Sequence, residues 1–205
     1  MALEHKEEVI PVPRHEVRIA GFGGQGVVLS GIVLGTAAMY DNHFSTQVQS
    51  YGPEARGGAC KSEVVISDEE ISFPMVTRPE FFIALSQEAL DRYIGDLPEG
   101  KTLIVDEDLV KNIPEREGVT IYRLPMTRVA DKKLKNRMFT NIVMIGAVTD
   151  FTGLVSREAM RQAVKNIVPP ATIEKNLTAL EAGFMLAEEN RGGRTPGGKE
   201  DNLKN

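Results

Sequence analysis

The stretch Arg18-Ile-Ala-Gly-Phe-Gly-Gly-Gln-Gly-Val27 constrains this chain more than any other. A short apolar strand runs into a glycine-dense turn, and the turn opens directly onto a helix-like segment. In such a turn, backbone N–H groups and a helix N-terminus converge with no side chain in the way, which suits an anionic group, usually a phosphate. Gly21, Gly23 and Gly26 satisfy the spacing G-x-G-x-x-G, and Gly24 opens a further gap. Glycines so placed also serve tight strand–helix packing in βαβ units that bind nothing, so the pattern alone leaves both readings open.

A nicotinamide or flavin site also needs an acidic residue about 20 positions on, at the end of the second strand, for the ribose hydroxyls. Phe44 to Val48 reads as that strand, and the residues at its end are Gln47, Gln49 and Ser50. Asp41 comes before the strand rather than after it. An ordinary NAD site is therefore disfavoured. A second constellation follows, Gln49-Ser-Tyr-Gly-Pro-Glu-Ala-Arg-Gly-Gly58. Pro53 stiffens one turn, and Gly52, Gly57 and Gly58 permit close backbone approach. Tyr51, Glu54 and Arg56 are three polar groups within that short frame. In a doubly wound sheet the loop after the second strand shares the carboxyl-end rim with the first turn. The two glycine-rich segments are predicted to form one surface; the plainer reading is a loop whose Glu54 and Arg56 are simply solvated.

The rest of the chain alternates strands and helices. Val17 to Ala20 reads as a strand buried on both sides, Val27 to Tyr40 as a helix whose Gly31, Gly35 and Ala38 let it lie close on a sheet, and Ser62 to Ser67 as a strand. A short strand at Ile71–Phe73, the apolar run Phe81 to Leu85, a helix from Gln87 to Ile94, a strand at Leu103 to Val105 and an edge strand at Val119 to Arg123 follow. The last third is helical: Asn141 to Val148 is apolar all round, Ser156 caps a helix striped by Ala159, Met160, Ala163, Val164 and Ile167, and Ile173, Leu177, Leu180 and Phe184 line a final one. This pattern predicts an α/β fold with a doubly wound, mostly parallel, Rossmann-like sheet and a helical C-terminal third. Residues 1–14 read as a flexible arm, 15–189 as a single α/β domain and 190–205 as a disordered tail.

Composition removes several classes of function. A net charge of −5 argues against nucleic-acid binding. No apolar run approaches the 18 residues of a membrane span, and the charged, proline-punctuated start has no signal-peptide core. Cys60 is the single cysteine, which fits a cytoplasmic setting and cannot ligate an iron–sulfur cluster of about four thiolates. The three histidines, His5, His15 and His43, show no metal-ligand spacing, so no metal is expected on this chain.

Together the two glycine segments resemble the gamma subunit of 2-oxoacid:ferredoxin oxidoreductases. Further matches are Lys61-Ser-Glu-Val-Val-Ile-Ser, Leu85-Ser-Gln-Glu-Ala-Leu, Ile104-Val-Asp and Asn141-Ile-Val-Met-Ile-Gly-Ala, and the likeness spans about residues 16 to 187. Ser-Tyr-Gly-Pro-Glu-Ala-Arg-Gly-Gly looks most like the 2-oxoglutarate and ketoisovalerate branches. The resemblance implies a three-layer α/β unit packed beside alpha and beta subunits that hold thiamine diphosphate, Mg and the 2-oxoacid. A cluster-bearing, ferredoxin-like subunit would pass electrons to ferredoxin. The reaction implied is 2-oxoacid, coenzyme A and oxidised ferredoxin to acyl-CoA, CO2 and reduced ferredoxin, most simply 2-oxoglutarate to succinyl-CoA, with ketoisovalerate or pyruvate complexes as alternatives. A stand-alone nucleotide-binding or NAD(P)-linked protein is the competing class.

Coenzyme A supplies a polyanion that a glycine turn can hold. On this reading the amides of Gly23, Gly24 and Gly26 face a CoA phosphate or a neighbouring subunit's carbonyls, Gln25 orients the contact, and Arg56 adds charge-assisted bonds. Other residues are plainer. Cys60 reads as a small buried thiol, His43 as a loop residue, and Arg128 to Arg137 as a solvated helix face that also suits steering of CoA. Phe81, Phe82, Met138, Met144 and Met160 read as core.

Overall fold

The computed structural model describes residues 14–51, 58–190 and 195–196. Seven strands form one sheet: β1 (Arg14–Phe22), β2 (Phe44–Tyr51), β3 (Ala59–Ser67), β4 (Phe81–Ala84), β5 (Thr102–Asp106), β6 (Thr120–Leu124) and β7 (Thr195–Pro196). Their order is β2-β3-β1-β4-β5-β6-β7. β1, β4, β5 and β6 run parallel, whereas β3 lies antiparallel between β1 and β2, and β7 pairs antiparallel with β6. β2 therefore points the same way as β1, one strand removed. The parallel strands are continuous apolar runs because helices cover both of their faces.

Among the described residues six α-helices accompany the sheet: α1 (Val27–Tyr40), α2 (Gln87–Tyr93), α3 (Met126–Leu134), α4 (Thr140–Thr152), α5 (Arg157–Ile167) and α6 (Ile173–Asn190). Ile19, Val64, Ile83 and Ile104 of the sheet share the larger core with α1 and α3–α6. Ala20, Phe82, Leu103 and Val105 point to the other face, where Ala89 and Leu90 of α2 close a smaller core. The result is the three-layer α/β arrangement with a helical C-terminal third. No helix among the described residues is long and apolar enough to cross a membrane.

Local chemistry sets the helix ends. Ser86 Oγ accepts the Ala89 N–H at the start of α2, and Ser156 Oγ accepts that of Ala159 at the start of α5. The α3 start is capped from a distance: buried Asp106, the last residue of β5, accepts the Thr127 N–H at 2.9 Å and its hydroxyl at 2.6 Å. Gly31 lets α1 press onto the sheet, since a Cβ there would lie 2.0 Å from Ser62 Oγ. α4 and α6 meet still more closely. A Cβ on Gly183 would stand 2.1 Å from the Val143 carbonyl, and one on Gly146 2.4 Å from that of Leu180.

Two expectations are corrected here. Ile71–Phe73 is not a strand. At its end the chain is held by a side chain instead of a ladder: the Arg14 guanidinium donates to Phe73 O and, just beyond, to Met75 O, both at 2.9 Å. Glu16 Oε2 likewise accepts the N–H groups of Thr77 and Arg78. Nor is residues 119–123 the sheet edge, since Thr120 and Ile121 pair with Pro196 and Thr195. Those two residues fall within the stretch expected to lack structure, and α6 continues through Asn190.

Candidate functional site

β1 ends at Phe22, and the chain turns through Gly23, Gly24 and Gln25 before α1 begins. Gly24 has φ of 97° and Gly26, the residue before α1, has φ of 73°, both in the left-handed region that glycine adopts without strain. Gln25 locks the turn from inside. Its Oε1 accepts the Phe22 N–H at 2.8 Å, and its Nε2 donates to the Leu85 carbonyl at 2.7 Å, tying the ends of β1 and β4 together. The Gln25 N–H also donates to Phe22 O at 3.2 Å. Gln25 thus faces the protein rather than solvent; its part is to hold the turn's shape.

The remaining donors of the turn are free. The N–H groups of Gly23, Gly24, Gly26, Val27, Val28 and Leu29 meet no acceptor among the described residues, and the first bond of α1 is Ser30 N–H to Gly26 O. A Cβ on Gly23 or Gly24 would meet no atom of the described residues within 4 Å, and both glycines are exposed. Gly21 differs: a Cβ there would strike Gln25 Oε1 at 2.3 Å, so this glycine serves packing. Successive free amides at a helix start form a concave positive surface suited to an oxyanion.

Antiparallel pairing brings the second segment to the same rim. Phe22 pairs with Ala59, and Tyr51 pairs with Cys60, so β2 ends and β3 begins beside the end of β1. Gly58, half-buried, precedes Ala59 there, and Tyr51 is 66% exposed. Glu54, Arg56 and Gly57 lie outside the described residues. Cys60 is buried, and burial pushes its thiol pKa up, away from reactivity.

α4 contributes a residue that the sequence reading gave no role at the site. Asn141, in the first turn of α4, packs on Gly26: a Cβ on that glycine would sit 2.4 Å from Asn141 Nδ2. The only signal in sequence was one polar residue heading an otherwise apolar run. Just before α4, Met138 is 83% exposed, a correction to its reading as core. It rides on a single 3-10 turn, Arg137–Phe139, outside the packed helix, whereas Met144 and Met160 are fully buried.

The other charged groups are engaged elsewhere. Arg128 bonds Glu107 and Asp108, and Lys132, Lys133 and Lys135 are exposed, as expected of a solvated face. His43, in the loop before β2, bonds Asp68. A cleft of about 460 Å³ lies at the opposite end of the sheet, between Arg14, Arg78, Glu80 and Lys101. Two of its three acids are already used, Glu16 by two backbone amides and Glu80 by His15 and Lys101. The glycine rim, with donors left over, is the better site.

Comparison with known proteins agrees with this architecture. A family model described as pyruvate ferredoxin/flavodoxin oxidoreductase matches residues 16–186. 2-Oxoglutarate synthase subunit KorC of Methanocaldococcus jannaschii is 52% identical over 179 residues, 86% of this chain and 95% of that protein. The gamma subunit of a keto/oxoacid ferredoxin oxidoreductase from Geobacter sulfurreducens PCA superposes with a TM-score of 0.79 at 41% identity, over 86% of this chain and 98% of its own. A 2-oxoglutarate:ferredoxin oxidoreductase from Magnetococcus marinus, solved with 2-oxoglutarate, coenzyme A and succinyl-CoA bound, shares the fold with a TM-score of 0.77 at 24% identity. That match covers 86% of this chain and 31% of the larger protein.

Proposed function

The chain belongs to the pyruvate ferredoxin/flavodoxin oxidoreductase family, and from that premise we propose that it is the gamma subunit of a ferredoxin-dependent oxidoreductase converting 2-oxoglutarate and CoA to succinyl-CoA and CO2. The observation that carries the choice of substrate is the 52% identity to KorC across nearly all of both chains. Thiamine diphosphate, Mg, iron–sulfur clusters and the 2-oxoacid pocket belong, on this reading, to alpha, beta and ferredoxin-like partner subunits. The family match speaks against a free-standing NAD(P)-linked protein.

The chain's own part is to anchor coenzyme A. The free amides of Gly23, Gly24 and Gly26 and the α1 N-terminus receive a phosphate of CoA, while exposed Phe22 and Tyr51 offer flat apolar surface on the same rim. Two charge-assisted hydrogen bonds at a net ~1.5 kcal/mol each, with ~1 kcal/mol from the helix dipole, total about 4 kcal/mol. That corresponds to a millimolar contact. The rim therefore orients CoA and leaves most of the affinity to the assembled complex.

Replacing Gly24 by Leu in the native assembly tests this. The KM for CoA rises at least fivefold or the chain no longer joins its partners; a variant normal in both respects refutes the reading. Turnover with 2-oxoglutarate, 2-ketoisovalerate and pyruvate then fixes the branch.

A further inference from the structure

The two edges of the sheet are finished differently. At one, β7 is two residues long and contains Pro196, so that edge is short and blunted. At the other, β2 runs for eight residues, Phe44–Tyr51, and pairs with β3 on one side only. Alternate residues of an edge strand point their N–H and C=O outward, and those of β2 meet no partner among the described residues. Proteins that stay single guard such an edge with charge, proline or a bulge. β2 has no charged residue and no proline, and it follows β3 residue for residue. Three of its polar side chains are turned inward. Ser45 Oγ donates to Gly35 O at 2.8 Å, Gln47 Nε2 to Ser62 Oγ at 2.7 Å and Thr46 Oγ1 to Pro74 O at 3.4 Å.

The surfaces on both sides of this edge are apolar. α1 contains no charged residue, a composition that suits a helix covered all round, yet Ile32 is 40% and Met39 63% exposed. Gly35 packs against Ser45 of β2, and Met39 lies one turn further along the same line with Ile32 beside it, so this stripe overhangs the edge. On the opposite face Phe44, Phe73 and Met75 are exposed, the last two flanking the Pro74 that Thr46 holds. With Tyr51, six of the eleven large exposed hydrophobic side chains among the described residues border this one strand, so the uncovered apolar surface is concentrated here.

We infer that two copies of this chain join β2 to β2, antiparallel about a two-fold axis, into one continuous sheet. Self-pairing of this kind sets residues near the axis against their own counterparts, where any charge would meet its like. A strip without charge therefore suits a second copy, whereas the rest of a chain of net charge −5 repels one. The spacing agrees. α1 lies over β2 and β3, since a Cβ on Gly31 would meet Ser62 and Gln47. With strands about 4.8 Å apart, the two copies of α1 come to lie two strand spacings, or ~10 Å, from each other, which is the distance between packed helices. Ile32 and Met39 fill the space between them.

The test is the mass of the full chain, measured by light scattering and sedimentation at micromolar concentration. A particle of twice the 22.5 kDa chain mass is expected. Ile32→Glu and Phe44→Glu change exposed side chains, and each is expected to raise the dimer Kd about tenfold or more. Together they leave a monomer with the wild-type circular dichroism. Met185→Glu, equally exposed but on α6, leaves the dimer intact. Single cysteines placed in turn from Thr46 to Gln49 cross-link to their own copies on oxidation with one maximum, at the residue on the axis, while buried Cys60 takes no part. A wild-type monomer throughout, or a dimer indifferent to both glutamates, overturns the inference, and a flat cross-linking profile overturns the antiparallel pairing. A monomer whose edge becomes protected only when other subunits join gives the strand to one of them, and that too overturns it.

Discussion

Two pairs of glycines in this protein exist for opposite reasons. At the α4–α6 contact, Gly146 and Gly183 have backbone where a side chain would stand, with carbonyls 2.4 and 2.1 Å from their missing Cβ atoms. At the rim, Gly23 and Gly24 have no atom of the described residues within 4 Å of that position. The first pair stabilises by letting two helices touch through their main chains. The second leaves backbone donors facing outward, without a partner among the described residues. Gly100 and Gly153 are as open as the rim glycines, yet their N–H groups are bonded, to Gly118 and Thr149; free amides, not open space alone, set the rim apart.

That contrast breaks most easily at the packed pair. Gly183→Ala forces the helices apart and is expected to cost about 3 kcal/mol, lowering Tm by roughly 9 °C in calorimetry. A loss under 1 kcal/mol means the helix pair is slack. Asp106→Ala comes next, orphaning the buried Thr127 N–H and hydroxyl for about 2 kcal/mol in urea unfolding at pH 7. Burial raises the Asp106 pKa, opposed by its bonds from Thr127 and Asp108. The wild type therefore loses stability from this group as pH rises from the usual carboxylate value of about 4 through the raised one, and Asp106→Asn removes that slope.

Gly24→Ala has room for its methyl but not the right φ, and should cost about 1–2 kcal/mol while weakening CoA binding. Glu80→Gln, far from the rim, serves as the control. Burial alone would raise the Glu80 pKa, but hydrogen bonds from His15 and Lys101 outweigh it and lower it. Its stabilisation, under about 1 kcal/mol for so exposed a group, is present above the usual pKa and fades as pH falls through the lowered value. Gly23→Ala is the finest probe. Its Tm should stay within about 1 °C of the wild type while the KM for CoA rises, and a change in Tm without one in KM would move Gly23 into the packing class.

Much of this was legible from the residues. The expected strands other than Ile71–Phe73, the buried Asn141–Val148 helix and the Ser156 cap follow from periodicity and cap chemistry, and these are found. Strand direction was not legible, because Ser-Glu-Val-Val-Ile-Ser alternates alike in parallel and antiparallel ladders; only the register shows β3 inserted between β1 and β2. Ile71–Phe73 misled because no local pattern reveals that a guanidinium some 60 residues away holds the Phe73 carbonyl. Met138 misled because hydrophobicity does not tell a helix interior from the turn before it. At the rim, the glycines announced themselves, but Gln25 pointing inward and Asn141 arriving from α4 are facts of the third dimension.

The Gln25 strap carries one more consequence. By bonding Phe22 at the end of one strand and Leu85 just past the end of another, it fixes the arc of free amides before anything arrives. A cradle preorganised in this way loses little conformational entropy on capture, so its association should be fast and its selectivity should come from shape rather than from closure. Loosening it with Gln25→Ala would turn a rigid receptor into an induced-fit one, slowing capture more than it speeds release.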